Sequence, residues 1–212
     1  MSEEKYLVDI RHEQLSFFTS AGEVKALNDV SIRMKEGEVL GIVGESGSGK
    51  SVTAYSIMGL TAQNGRIVGG SVEFNGHRID EMKEKELRKI RGGKIAMIFQ
   101  DPMSSLNPLI RVGTQVEEMI RVHQPEKSRE ERRRETLELF RRVRIPVAEK
   151  RCRSFPHEFS GGMRQRIMIA MALANRPALL IADEPTTALD VTIQDQILKE
   201  LRALRKEYRT GI

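Results

Sequence analysis

Along residues 7–43 apolar and polar side chains alternate in short runs, Val30, Ile32 and Met34 among them, broken by the turn pairs Ala21-Gly22 and Glu36-Gly37. A period of two puts one set of side chains on a covered face, so this stretch predicts several short strands joined by turns. Residues 39–43, VLGIV, are apolar throughout, the pattern of a strand covered on both faces in a parallel sheet. A glycine-rich turn follows, and then helical character from Lys50 to Gly59. Residues 71–76, SVEFNG, alternate again and end in Asn-Gly, a favoured tight-turn pair. Residues 94–100, KIAMIFQ, predict another buried strand.

From about Asp101 to Phe159 the pattern becomes helical, beginning with the proline-bearing loop DPMSSLNP and containing SREERRRETLELFRRVRI, which Pro146 closes. Ser128 with Glu131 three residues on is a capping box, and Leu137, Phe140 and Val143 recur on one face. The arginines of this run read as the solvated face of an amphipathic helix rather than as a nucleic-acid or lipid patch. RQRIMIAMALAN then predicts a helix, ALLIA at 178–182 a buried strand, and 191–208 a last amphipathic helix. The organisation expected is an α/β core formed by residues 1–100 and 163–212, with a helical lobe at 101–162 inserted between them.

Composition changes this picture little. The 212 residues are 39% hydrophobic and 31% charged, and 35 basic against 30 acidic side chains leave a net charge of +5, too modest to indicate a nucleic-acid partner. The single cysteine, Cys152, excludes a disulfide framework or a cysteine-rich metal cluster within the chain and fits a reducing compartment. The opening MSEEKYLVDI has no apolar signal core, and no apolar stretch reaches a bilayer-spanning length. A soluble protein that can sit on a membrane partner is expected.

Three short stretches carry chemistry. The first, Gly44-Glu45-Ser46-Gly47-Ser48-Gly49-Lys50-Ser51, has the G-x-x-x-x-G-K-[ST] spacing and lies between a buried strand and a helix, the context that spacing requires. Its glycines let backbone N–H groups converge on phosphates, the helix start adds a favourable dipole, Lys50 adds positive charge, and Ser51 can offer its hydroxyl to Mg²⁺. An ordinary glycine turn leaves Lys50 unexplained at a helix start, where the dipole disfavours a cation. The second, LLIADEPTTALD, sets Asp183 and Glu184 at the carboxyl end of a strand, where ligands sit in open α/β sheets. Asp183 would orient or bind Mg²⁺ and Glu184 would activate a water; the plainer alternative is a strand end with two solvated acids. The third, FSGGMRQR, places Ser160, Gly161 and Gly162 at a helix start, a second anion-binding tip.

In this order the stretches resemble the nucleotide-binding subunit of an ATP-binding cassette (ABC) transporter, and the likeness covers nearly the whole chain. GESGSGKS resembles Walker A, Gln100 the Q-loop glutamine, FSGGMRQR the signature usually written LSGGQ, LLIADE Walker B, and residues 187–190 with Asp190 the D-loop. Phe17 resembles the aromatic residue that stacks on adenine, with Phe18 its rival and a core role open for either. Phe159 and Met163 depart from the commonest signature, which puts side-chain contacts to nucleotide at 163 in doubt. FQDPMSSLNP, FPHEFSGGMRQRIMIAMALA and IADEPTTALDVTIQ are similar to the D-type ATPase subunit of importers for dipeptides, oligopeptides, nickel or glutathione.

The resemblance implies an α/β P-loop NTPase fold with an N-terminal antiparallel β subdomain and an inserted helical subdomain. It also implies ATP and Mg²⁺ as ligands, Glu184, Lys50 and Gln100 as catalytic, and Ser51, Gln100 and Asp183 around the metal. The partners implied are a second cassette, homologous or identical, two transmembrane permease subunits and, indirectly, an extracytoplasmic solute-binding protein. Two cassettes would pack head to tail, so the signature of one faces the Walker A nucleotide of the other at the cytoplasmic face of the cell membrane. Family members also carry a switch histidine on a strand after Walker B. His12, His77, His123 and His157 all precede Walker B and read as surface or loop residues, and KEYRTGI ends where that strand should begin. A truncated chain is therefore expected, with a slot between the Walker A and Walker B strands and with low stability or activity for residues 1–212 alone. The rivals are a non-hydrolytic nucleotide-binding fragment or regulator, an ABC-type ATPase acting on nucleic acid, and a P-loop GTPase. The GTPase reading lacks its N-K-x-D guanine-reading string here and leaves FSGGMRQR without a purpose.

Overall fold

The computed structural model describes residues 5–99, 105–185 and 191–212. Gln100, residues 101–104 of the proline-bearing loop, and the D-loop stretch with Asp190 lie outside them. A four-stranded antiparallel sheet opens the chain: β1 (Val8–Thr19) pairs with β2 (Gly22–Met34) on one side and with β3 (Gly65–Phe74) on the other, and the short β4 (His77–Arg78) borders β3. The hairpin turns between Thr19 and Gly22, as the Ala21-Gly22 pair predicts, but the expected series of short strands is two long ones. A bulge accounts for the appearance of short runs, because the register of β1 slips between Ile10 and Glu13 against β2 and between Arg11 and Gln14 against β3.

Helix α1 (Lys50–Ile57) follows the glycine turn and packs under this sheet. Its end is tied down by Arg91, which donates to the carbonyls of Met58 (2.8 Å) and Gly59 and is paired with Glu84 (3.0 Å) of α2 (Glu84–Ile90). The second layer is a parallel pair, β5 (Ile95–Ile98) and β6 (Leu179–Ala182), in register from Ile95 opposite Leu179 to Ile98 opposite Ala182. Around it stand α3 (Val112–His123), α4 (Arg129–Arg142), the single turn α5 (Ala148–Arg151), α6 (Gly161–Leu173) and α7 (Val191–Tyr208). The capping box of α4 forms as read: the Glu131 N–H donates to Ser128 Oγ at 3.2 Å, and the Ser128 N–H donates to the Glu131 carboxylate at 2.8 Å. One buried cluster runs from Ile98 and Leu180 through Ile167 and Ile169 to Phe140 and Val116, so the helical lobe and the parallel pair share a core.

Residues 39–43 overturn the expectation of a buried strand. No strand forms there, and Val39, Ile42 and Val43 are 51%, 46% and 96% exposed. The reason lies in the partners. The chain end enters the sheet beside β6: the Gly211 N–H donates to the Ala178 carbonyl (2.8 Å), and the Leu180 N–H donates to the Gly211 carbonyl (2.8 Å). Ile212 then bonds the other way, its N–H to the Glu38 carbonyl (2.9 Å) and its carbonyl to the Leu40 N–H (2.8 Å). Past those two rungs a cleft of about 180 Å³ separates Ile42 from Ile181 and Ala182. An apolar run whose neighbour meets it at a single rung has no ladder to join, however well its composition suits one.

Candidate functional site

The glycine turn is shaped by positions where a side chain has no place. Gly47 and Gly49 have φ of +80° and +91°, in the left-handed region, and Gly49 is the N-cap of α1. A Cβ on Gly49 would lie 2.7 Å from Leu27 Cδ2 and 3.1 Å from the Ala26 carbonyl oxygen, so the loop is seated directly on β2. Gly44 is constrained within the loop, since its Cβ would fall 2.6 Å from Ser48 Oγ. The Lys50 ammonium folds back over the turn and donates to the carbonyls of Gly44 (2.8 Å) and Glu45 (2.7 Å). Residues 44–48 are exposed, leaving their backbone open to a ligand.

The acidic pair meets this turn across 132 residues of sequence: Ser51 Oγ donates to Asp183 Oδ1 at 3.2 Å. Asp183 is held at the end of β6 by its own N–H, which donates to the Ile98 carbonyl at 3.0 Å. Glu184 follows with φ of +46°, a left-handed backbone that a non-glycine residue adopts only where the surroundings enforce it. A hydroxyl and a carboxylate, both hard oxygen donors, thus sit beside the lysine-bearing glycine turn, and this donor set fits Mg²⁺. The cleft beside Ile212 opens onto the same place, with Lys50, Asp183 and Glu184 on its wall.

Ser160 caps α6, its Oγ accepting from the Met163 N–H at 3.4 Å, and Gly161 is exposed with open space where a Cβ would stand. The helix start therefore faces solvent with its dipole free to meet an anion. Phe159 is buried, with the Arg151 guanidinium over its ring, so this departure from the commonest signature is a core residue. Met163 packs partly buried against the same core. Phe17 lies half-buried in β1 with its ring against Gly65, whereas Phe18 is 45% exposed. His12 pairs with Asp29 on the surface at 2.6 Å.

Sequence reasoning gives no role to Gln165, which is 2% exposed and donates through Nε2 to the Pro185 carbonyl at 2.8 Å. The signal was there: Gln165 shares a helical face with Met168, Ile169 and Ala172, all buried, and a buried amide requires a partner. Glu13 was missed as well. It is fully buried in β1, and neither carboxylate oxygen finds a hydrogen-bond partner.

A family model described as ABC transporter matches residues 27–187. Among curated proteins the chain is similar to the oligopeptide transport ATP-binding protein OppD of Escherichia coli (strain K12), 54% identical over 206 residues that cover 97% of this chain and 60% of that protein. It is also 49% identical over 212 residues to the dipeptide transport ATP-binding protein DppD of Lactococcus lactis subsp. cremoris (strain MG1363), covering 100% of this chain and 60% of that one. The chain thus spans about three fifths of the length of these relatives. Among solved structures it resembles the ATP-binding cassette MJ0796 in a dimeric post-hydrolysis state bound to ADP and Pi, with 32% identity, a TM-score of 0.86, and coverage of 96% of this chain and 85% of that one.

Proposed function

The chain belongs to the ABC transporter family, and from that premise we propose that it is the ATP-binding and ATP-hydrolysing part of an importer for peptides or a related small solute. The observation that carries this reading is the 3.2 Å link between Ser51 and Asp183, which brings the phosphate turn and the acidic strand end into one site. Lys50 exchanges its two carbonyl partners for the β- and γ-phosphates of ATP, and the turn's N–H groups and the α1 dipole add to the grip. Ser51 and Asp183 would hold Mg²⁺, with Gln100 as the further ligand suggested by sequence. Held there, Mg²⁺ would supply neutralisation of charge on the phosphate oxygens. Glu184 accepts a proton from the attacking water as its oxygen bonds to the γ-phosphorus; the bond to the β–γ bridging oxygen breaks, leaving ADP and phosphate.

Ser160, Gly161 and Gly162 close the nucleotide site of a second cassette, with Asp190 at the same interface, and Phe17 stacks on the adenine of the nucleotide. That reading draws support from the exposed helix tip and from the dimeric form of the MJ0796 cassette. At the cytoplasmic face of the membrane the cassettes sit on two permease subunits, which an extracytoplasmic solute-binding protein serves from the other side; the relatives' names, oligopeptide and dipeptide transport ATP-binding proteins, support this reading. A second reading, nucleotide binding without turnover by residues 1–212 taken alone, has the cleft beside Asp183 and Glu184 in its favour. The test is Glu184→Gln in the full-length protein. Phosphate release falls at least a hundredfold while ATP remains bound and a dimer accumulates on size exclusion; a variant that stays monomeric with ATP, or that turns over at the parent rate, removes the mechanism.

A further inference from the structure

The backbone at Glu184 is held in an arrangement that its neighbours in sequence oppose. Its φ is +46°, and the residue that follows is proline, whose ring drives the preceding residue toward extended backbone. A conformation disfavoured twice over persists only where something outside the segment fixes it. The Ile98 carbonyl holds the N–H of Asp183 on the upstream side (3.0 Å). On the downstream side the Pro185 carbonyl accepts from Gln165 Nε2 at 2.8 Å. Gln165 is rigid in turn, for it sits in the second turn of α6, 2% exposed, on the face shared with Met168, Ile169 and Ala172.

We infer that Gln165 is a positioning residue for the hydrolytic step: its amide pins the Pro185 carbonyl and thereby holds Glu184 in the geometry from which its carboxylate meets the attacking water. The same bond ties the acidic strand end to the helix whose start, Ser160-Gly161-Gly162, is the second anion tip. Any displacement of that tip is therefore transmitted through one hydrogen bond to the base. This inference rests on Glu184 being the base, and the experiment separates the two.

In the full-length protein, Gln165→Met keeps the volume and removes the donor. Its kcat for ATP hydrolysis falls at least tenfold while KM for ATP stays within twofold, because Lys50 and its turn are untouched. Combined with Glu184→Gln, it slows the reaction no further. Gln165→Glu supplies the readout that a packing role would not move. As a protonated acid it donates to the Pro185 carbonyl and as a carboxylate it cannot, so its kcat relative to the parent rises on acidification, while the ratio for Gln165→Met stays flat. Each sample is assayed below its own melting temperature. A parent-like kcat in folded Gln165→Met beside an inactive Glu184→Gln overturns the positioning role alone; so does a flat pH ratio in Gln165→Glu, the variant that decides if the methionine form fails to fold. A parent-like rate in Glu184→Gln overturns the assignment of the base and the inference with it.

Discussion

Residues 39–43 and β6 are written in nearly the same letters, VLGIV against LLIA, yet one lies outside any strand and the other pairs in register with β5. Leu179 and Leu180 are 3% and 1% exposed, whereas Val43 is 96% exposed. What separates them is the neighbour. β6 has β5 along one edge and the Gly211 rung along the other, but 39–43 has the one bond from Leu40 to Ile212, with Glu38 just before it taking the second. An apolar run states a capacity for burial, and the hydrogen-bonding partner decides whether the capacity is used.

The contrast can be broken most forcefully at its buried side. Leu180→Ala should destabilise the protein by about 3 kcal/mol, as expected for a large-to-small change in a packed core, read from the urea midpoint at constant slope. A loss below about 1 kcal/mol would mean that the parallel pair is as loosely held as residues 39–43.

Next in size is a test of sealing in the antiparallel sheet, where a polar group is buried without the partner it needs. Burial pushes the Glu13 carboxyl up to about 7, and the nearby Asp80 carboxylate adds to the rise; Ser56 tempers it but donates its own proton to the Thr53 carbonyl at 2.8 Å. The folded state thus keeps the proton longer than the unfolded chain, whose value is near 4.5. The cost of ionising Glu13 is absent below pH 4.5, grows as the pH rises toward 7, and is complete above it, at roughly 3 kcal/mol. The advantage of Glu13→Leu over the parent should therefore grow by about that amount between pH 4.5 and pH 8, on top of the pH-independent cost of burying the unpaired neutral acid. Thermal melts of the pair across this range check the sign, and a constant difference would show that the carboxyl is hydrated.

The smallest expected effect lies at the exposed side. Val43→Ala should change stability by less than about 0.5 kcal/mol, and amides 41–43 should exchange in seconds while those of 96–98 remain protected. Slow exchange at 41–43 would show that these residues are already paired in solution.

How much of this was legible in the sequence follows from the range over which each signal acts. The phosphate turn is local: Gly47 and Gly49 require left-handed backbone, and the spacing to Lys50 announces it. The Ser160 cap and the bounds of α7 are equally local, and the structure has both where the sequence pattern predicts them. Glu13 was hidden because His12, with φ of +51°, sits in the bulge of β1; strict alternation from Val8 and Ile10 directs residue 13 outward, and the slip turns it in. The fate of residues 39–43 depends on contacts with residues more than 170 positions away, which no local pattern contains. Gln165 lies within FSGGMRQR, but its partner, Pro185, is visible only once α6 and the acidic turn are brought together.

The Lys50 ammonium, strapped by the carbonyls of Gly44 and Glu45, has a thermodynamic corollary. A ligand's phosphates would have to displace two bonds already made, so the affinity would measure a difference between anionic and neutral acceptors rather than the full strength of the new contacts. In return, the turn owes its curvature to its own atoms. Association should accordingly run at a rate set by diffusion and charge, with little waiting for the loop to order itself.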